Sequence, residues 1–133
     1  MGEVKSFLDS AGFSFKYFGT YSSESCDYPE IAAGAARAIS DGECDRGIFI
    51  CGTGIGMSIA ANKVAGIRAA LCTDRFMAEM SRCHNDANVL VLGGRVTGVT
   101  LALEIVDMFL STAFESGGRH SRRVDMLSAL DRF

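Results

Sequence analysis

Residues 47–58 read Gly-Ile-Phe-Ile-Cys-Gly-Thr-Gly-Ile-Gly-Met-Ser, and this stretch decides the fold. The run Gly47–Ile50 is short and uniformly apolar, as a strand is when both faces of its sheet are covered. Gly52, Gly54 and Gly56 then permit a tight turn into a helix that the spacing predicts as far as about Lys63. A lone cysteine, Cys51, stands between strand and loop, where neither element requires a thiol.

The same alternation continues on both sides. Upstream, Val4, Phe7, Leu8 and Ala11 share one helical face, and Gly12 closes that helix. FSFKYF (13–18) predicts a strand, GTYSSESCDY (19–28) a loop, and Pro29 opens a helix at the position that tolerates it. Ile31, Ala32, Ala35, Ala36 and Ile39 give that helix a small-residue face suited to lying on a sheet. Downstream, GIRAAL (66–71) predicts a strand. Asp74 caps a helix carrying Phe76, Met77 and Met80. NVLVL (88–92) is another buried strand, followed by a long helix from about Val99 to Phe114 and a last helix with Val124, Leu127 and Leu130 on one side. Strand and helix alternate throughout, so the fold class is α/β: a doubly wound, Rossmann-like parallel sheet with helices on both faces, in a single domain.

Bulk properties narrow the function. A chain of 133 residues that is 48% hydrophobic builds one full core, not two. The net charge of −3 is spread along the chain, with no basic tract for nucleic acid. No apolar stretch approaches a membrane span, and residues 1–20 lack a basic region followed by an apolar core, so a soluble cytoplasmic protein is expected. Five cysteines, an odd number, argue for free thiols. No C-x-x-C pair occurs and the two histidines, His84 and His120, are not spaced as a zinc motif, so neither metal nor cofactor is expected.

In open parallel sheets ligands bind beyond the carboxyl ends of the strands, where the 51–56 loop lies. Its glycines can aim successive N–H groups at an anion, aided by the start of the next helix. The Walker pattern fails, because Met57 and Ser58 follow the last glycine where Lys and Ser/Thr are needed. The dinucleotide pattern fails too, since the run is G-x-G-x-G, although Asp74 imitates the acidic ribose ligand. Cys51 precedes a helix start, which favours thiolate. A thiolate beside an anion-stabilising loop is suited to taking a proton from carbon next to a carbonyl. Cys26, Cys44, Cys72 and Cys83 are read as small buried hydrophobes. His84, with Asn85, precedes a buried strand and can titrate near neutrality. Arg119 and Arg123, four apart, make a phosphate clamp, while Arg122 between them faces solvent.

DYPE (27–30), CGTGIGMSIAANKVAGIRAALCTD (51–74), HNDANVLVLGGRVTG (84–98) and GGRHSRRV (117–124) together resemble the type B ribose-5-phosphate isomerase and galactose-6-phosphate isomerase family over essentially the whole chain. The resemblance implies metal-free aldose–ketose isomerisation of phosphorylated sugars. It also implies a homodimer with sites at the subunit interface, a tetramer being the larger alternative, and a C-terminal helix of about 121–133 packing at that interface. Carried over by position, Cys51 is the base moving a proton between C1 and C2. Some members place a glutamate four positions later, where this chain has Ile55. Thr53 passes protons between the sugar oxygens, and the amides of Gly52–Gly56 hold the enediolate. His84 opens the ring and Asn85 binds hydroxyls. Arg95, Arg119 and Arg123 hold the phosphate and Tyr28 lines the pocket. Having both Cys51 and His84 in one chain favours a self-sufficient isomerase over the two-subunit galactose-6-phosphate enzyme.

The family pattern also has an opening strand ending in Asp-His, whereas this sequence opens inside the helix that follows it. The expectation is therefore a native chain extending upstream of Met1, and poor stability and weak turnover for residues 1–133 alone. The leading function is interconversion of ribose 5-phosphate and ribulose 5-phosphate through a cis-enediolate. The alternatives are another sugar phosphate (allose 6-phosphate, galactose 6-phosphate or a tetrulose phosphate), a non-catalytic nucleotide or phospho-ligand module, and a catalytically silent partner of a longer paralogue.

Overall fold

The computed structural model describes residues 2–18 and 27–131. Among these residues the element order is α1 (Gly2–Ser10), α2 (Tyr28–Ser40), β1 (Gly47–Cys51), α3 (Ile55–Ala61), β2 (Ala69–Leu71), α4 (Arg75–Cys83), β3 (Val89–Gly93), α5 (Val99–Ser111) and α6 (Arg119–Ser128). The three strands form one parallel sheet in the order β1-β3-β2, with Gly47 opposite Val89 and Ala69 also opposite Val89. Cys26 and most of the predicted 19–28 loop lie outside the described residues.

Strand β3 is central and buried on both faces, so its alternate residues feed two cores. Leu90 and Leu92 join Val4 of α1, Ala78 of α4 and Ile105, Val106 and Phe109 of α5. Val89 and Val91 join Phe49, Ala32, Ala35 and Ala36 of α2, and Met57 and Ala61 of α3. The alanine face read from the sequence is what lets α2 approach the sheet. The doubly wound α/β class holds.

The helix ends follow local chemistry. After α1, Phe13 N–H reaches the Leu8 carbonyl and Gly12 N–H the Asp9 carbonyl, with Gly12 at φ +83°. This is the Schellman closure that a glycine permits. Asp74 Oδ1 accepts the Met77 amide at 2.8 Å, capping α4 as expected. α5 stops at Ser111, short of the predicted Phe114. There Arg46 donates to the Phe109 and Leu110 carbonyls at 2.9 and 3.2 Å, and Arg82 Nε to the Thr112 carbonyl at 3.1 Å. Two guanidinium groups thus satisfy carbonyls that a continuing helix would have taken.

Two strand predictions need correction. β2 begins at Ala69, not at residue 66, because the Asn88 side chain takes the Arg68 amide at 2.8 Å and donates to the Gly66 carbonyl at 2.9 Å. The Asn62 amide then covers both outward backbone groups of Ala69 and blunts that sheet edge. The 13–18 run is not a strand. A strand needs a neighbour to satisfy its backbone, and none of the described strands pairs with this segment. Phe13 and Phe15 are half exposed, while Phe18 packs against the α2–α3 core. The last helix begins at Arg119 rather than 121, and of its predicted apolar face only Val124 is buried, Leu127 and Leu130 being exposed.

Candidate active site

The carboxyl ends of β1 and β3 meet at two glycine loops that are zipped together. Gly94 N–H donates to the Cys51 carbonyl at 2.7 Å, and Arg95 N–H to the Gly52 carbonyl at 2.9 Å. A Cβ on Gly93 would lie 2.5 Å from the Thr53 carbonyl oxygen, so only glycine allows the loops to touch. Gly54 sits at φ +83° against Leu71 and turns the chain into α3. At this turn the Cys51 thiol accepts the Gly54 amide at 3.2 Å, and Thr53 Oγ1 accepts the Ile55 amide at 3.3 Å. Helix starts leave first-turn amides without an intrahelical acceptor, and here that turn is Ile55–Met57. Cys51 is half-buried, not sealed.

Two further predicted residues converge on this loop. The Arg95 side chain lies over Gly52, 3.6–3.9 Å from where a Cβ would be. The Tyr28 ring occupies the space that a Cβ on Gly56 would need. Ile55, at the position of the alternative glutamate, is exposed.

His84, Arg119 and Arg123 form a second group. His84 is the C-cap of α4, its amide bonded to the Met80 carbonyl at 2.9 Å. Its ring stacks on His120, with centroids 3.9 Å apart and planes 7° from parallel. Partial desolvation, then the charges of His84 and Arg119, hold the His120 imidazole below its ordinary pKa, and Glu115 opposes them. Arg123 acts on His120 in the same direction as Arg119. Arg119, Arg123, Asn85 and Arg122 are exposed. The structure therefore assembles the predicted residues as two groups, the thiol with its loop, Arg95 and Tyr28, and His84, stacked on His120, with the C-terminal arginines.

Two residues were missed. His120 lies inside the GGRH run, and Glu115 precedes it. The histidine spacing matches no zinc motif, yet the fold gathers a ligand atom from each of His84, Glu115 and His120 within 4.8 Å of one another. Among the other cysteines, Cys72 is buried, while Cys44 and Cys83 are only partly so. Burial pushes the Cys72 thiol up to about 11.

The sequence profile of the Ribose/Galactose Isomerase family matches residues 2–127. This chain belongs to the ribose/galactose isomerase family. It is 49% identical over 130 residues to ribose-5-phosphate isomerase B of Escherichia coli (strain K12), covering 98% of this chain and 87% of that protein. It is 54% identical over 91 residues to D-erythrulose-4-phosphate isomerase of Pectobacterium atrosepticum, covering 68% and 60% of the two chains. Among solved structures, Clostridium thermocellum ribose-5-phosphate isomerase B superposes with a TM-score of 0.94 at 55% identity, over 97% of this chain and 86% of that one. Among the described residues, no helix is long and apolar enough to cross a membrane.

Proposed function

We propose that this member of the family interconverts ribose 5-phosphate and ribulose 5-phosphate, with Cys51 as the base. The observation that carries the reading is the Cys51 thiol, reachable and hydrogen-bonded to the Gly54 amide at the mouth of the glycine loop. His84 moves the proton that opens the furanose ring. Cys51 then takes the C2 proton, and charge develops on the sugar oxygens as the enediolate forms. The Gly52–Gly56 amides stabilise that charge in place of water. Thr53 transfers a proton between O1 and O2, and Cys51 returns its proton to C1, so the enzyme ends as it began. Arg95, Arg119 and Arg123 hold the phosphate, Asn85 a hydroxyl, and Tyr28 lines the pocket. The chemistry calls for no cofactor.

The protein acts as a homodimer in the cytoplasm, with the C-terminal helix at the subunit interface and the His84 group of one protomer completing the Cys51 group of the other. The division of the site residues into two groups supports this arrangement. Ketose formation from ribose 5-phosphate, compared with allose 6-phosphate, tests the substrate, and faster turnover of the six-carbon sugar overturns the preference. Mixing inactive Cys51→Ala with inactive His84→Ala protein tests the shared site. Recovery of activity is expected, since one of the two sites in a mixed dimer then holds both residues, and no recovery in verified mixed dimers overturns it.

A further inference from the structure

We propose that His84, Glu115 and His120 form a site for a divalent transition-metal cation of the zinc class, whose occupation withdraws His84 from the sugar. The donors come from separate segments: His84 from the C-cap of α4, Glu115 from the loop after α5, and His120 from the first turn of α6. The Glu115 amide is bonded to the Cys83 carbonyl at 3.1 Å, which ties the carboxylate-bearing loop to the residue before His84. All three ligand atoms already lie within 4.8 Å of one another. Zinc takes nitrogen and carboxylate ligands at about 2.0–2.2 Å in a tetrahedron, which sets them roughly 3.3–3.6 Å apart, so capture draws the most separated tips together by at most about 1.5 Å. Because the rings now lie face to face, capture also turns them about their terminal torsions until one nitrogen of each converges.

The donor set selects the cation. Two imidazoles and one carboxylate suit zinc and its transition-metal neighbours, whereas calcium and magnesium require oxygen cages. Three protein ligands leave a fourth position open. Glu115 supplies the negative charge that offsets Arg119 and Arg123, which oppose a cation here. Binding rests on geometry alone, while its consequence for turnover rests on the reading of His84 as the ring-opening residue. Zinc would therefore act as a reversible inhibitor rather than as a participant in the reaction.

The test is titration of the full chain with Zn²⁺ against a chromophoric chelator, with Co²⁺ absorption reporting the coordination geometry and ribose 5-phosphate turnover followed in parallel. One equivalent is expected to bind and to suppress turnover, and a chelator to restore it. Glu115→Gln and His120→Asn should each lower zinc affinity by at least the ~10–100-fold that accompanies loss of even an outer-shell partner. Inhibition should move by the same factor, and metal-free Glu115→Gln should still form ketose. Cys51→Ala should bind zinc as the wild type does. Unchanged affinity in the Glu115 and His120 variants, loss of binding in Cys51→Ala, or full turnover by the zinc-loaded wild type each overturns the proposal. A failure of the isomerase reading shows instead as no ketose from the metal-free wild type, with the chelator titration unaffected.

Discussion

Cys51 and Cys72 stand one at the end of β1 and one just past the end of β2, within about one residue of the same level of a single sheet. Cys51 pairs with Gly93, and Leu71, the residue before Cys72, pairs with Val91. Their chemistry nevertheless diverges. Cys51 is partly open and accepts an amide hydrogen bond, whereas Cys72 is 1% exposed, with its thiol 3.7 Å from the Ala70 carbonyl. The sulfurs lie on opposite faces of the sheet, Cys72 within the α1–α4–α5 core and Cys51 at the edge of the α2–α3 core, and the turn that leaves each strand adds to the difference. After Cys51 the glycine loop brings the Gly54 amide to the sulfur, and after Cys72 the Thr73–Asp74 pair starts a capped helix whose Ala78 shares the core with it. A cysteine at a strand end is an inert filler unless the next few residues give it both space and donors.

Removing each sulfur in turn tests this contrast most severely. Cys51→Ala should lower turnover by about 10²–10⁴-fold, the usual range for a lost acid–base group, with substrate binding largely kept. Cys72→Ala should keep turnover and cost about 1 kcal/mol in urea unfolding, as a small core truncation does. Equal turnover losses in the two variants would erase the distinction.

Gly54→Ala attacks the loop rather than the sulfur. A Cβ there meets Leu71 Cδ1 at 2.5 Å in a left-handed conformation, so a loss of about 1–3 kcal/mol of stability is expected. Turnover should fall with it, because relieving that clash shifts the turn and moves the residue-54 amide away from the Cys51 sulfur. Normal unfolding and kinetics would show that the turn tolerates a side chain.

Arg119→Ala tests whether anion binding belongs to the Cys51 side of the contrast at all. KM for ribose 5-phosphate should rise about tenfold, the loss of roughly one charge-assisted hydrogen bond. KM for unphosphorylated ribose should not move. The smallest effect concerns reactivity: at pH 8 a disulfide reagent should label Cys51, and a bound substrate analogue should protect it. Burial raises the Cys72 pKa, so its neutral thiol persists to higher pH and its labelling should begin only as pH approaches about 11. Prompt labelling of Cys72 in the folded protein would show that its burial is not maintained.

Most of the layer structure was legible because β3 is apolar at every position and α2 carries a clean alanine face, both direct consequences of burial on a covered sheet. The 13–18 run misled because its aromatic content matches a strand, while strand formation depends on a neighbour that local sequence does not report. The thiol loop was readable from contiguous residues. The His84–Glu115–His120 convergence was not, because its members are brought together by the packing of helix ends and not by any spacing. The salt-bridged Arg82, which is 5% exposed and donates to Asp86, Ala87 and Thr112, was equally hidden. Its charge looks like surface in sequence, and only the fold shows which carbonyls it serves.

The decisive experiment tracks the hydrogen on C2. Ribose 5-phosphate deuterated at C2 is incubated with wild type and with Cys51→Ala, and loss of label from C2, whether to C1 of the ketose or to water, is read by nuclear magnetic resonance. The wild type should clear the deuterium from C2, passing it to C1 or losing it to water where the thiol exchanges first, while Cys51→Ala, still binding the sugar, should leave it in place. Loss of the C2 label with Cys51→Ala at the wild-type rate would mean that another group removes that hydrogen and that the thiol is not the base.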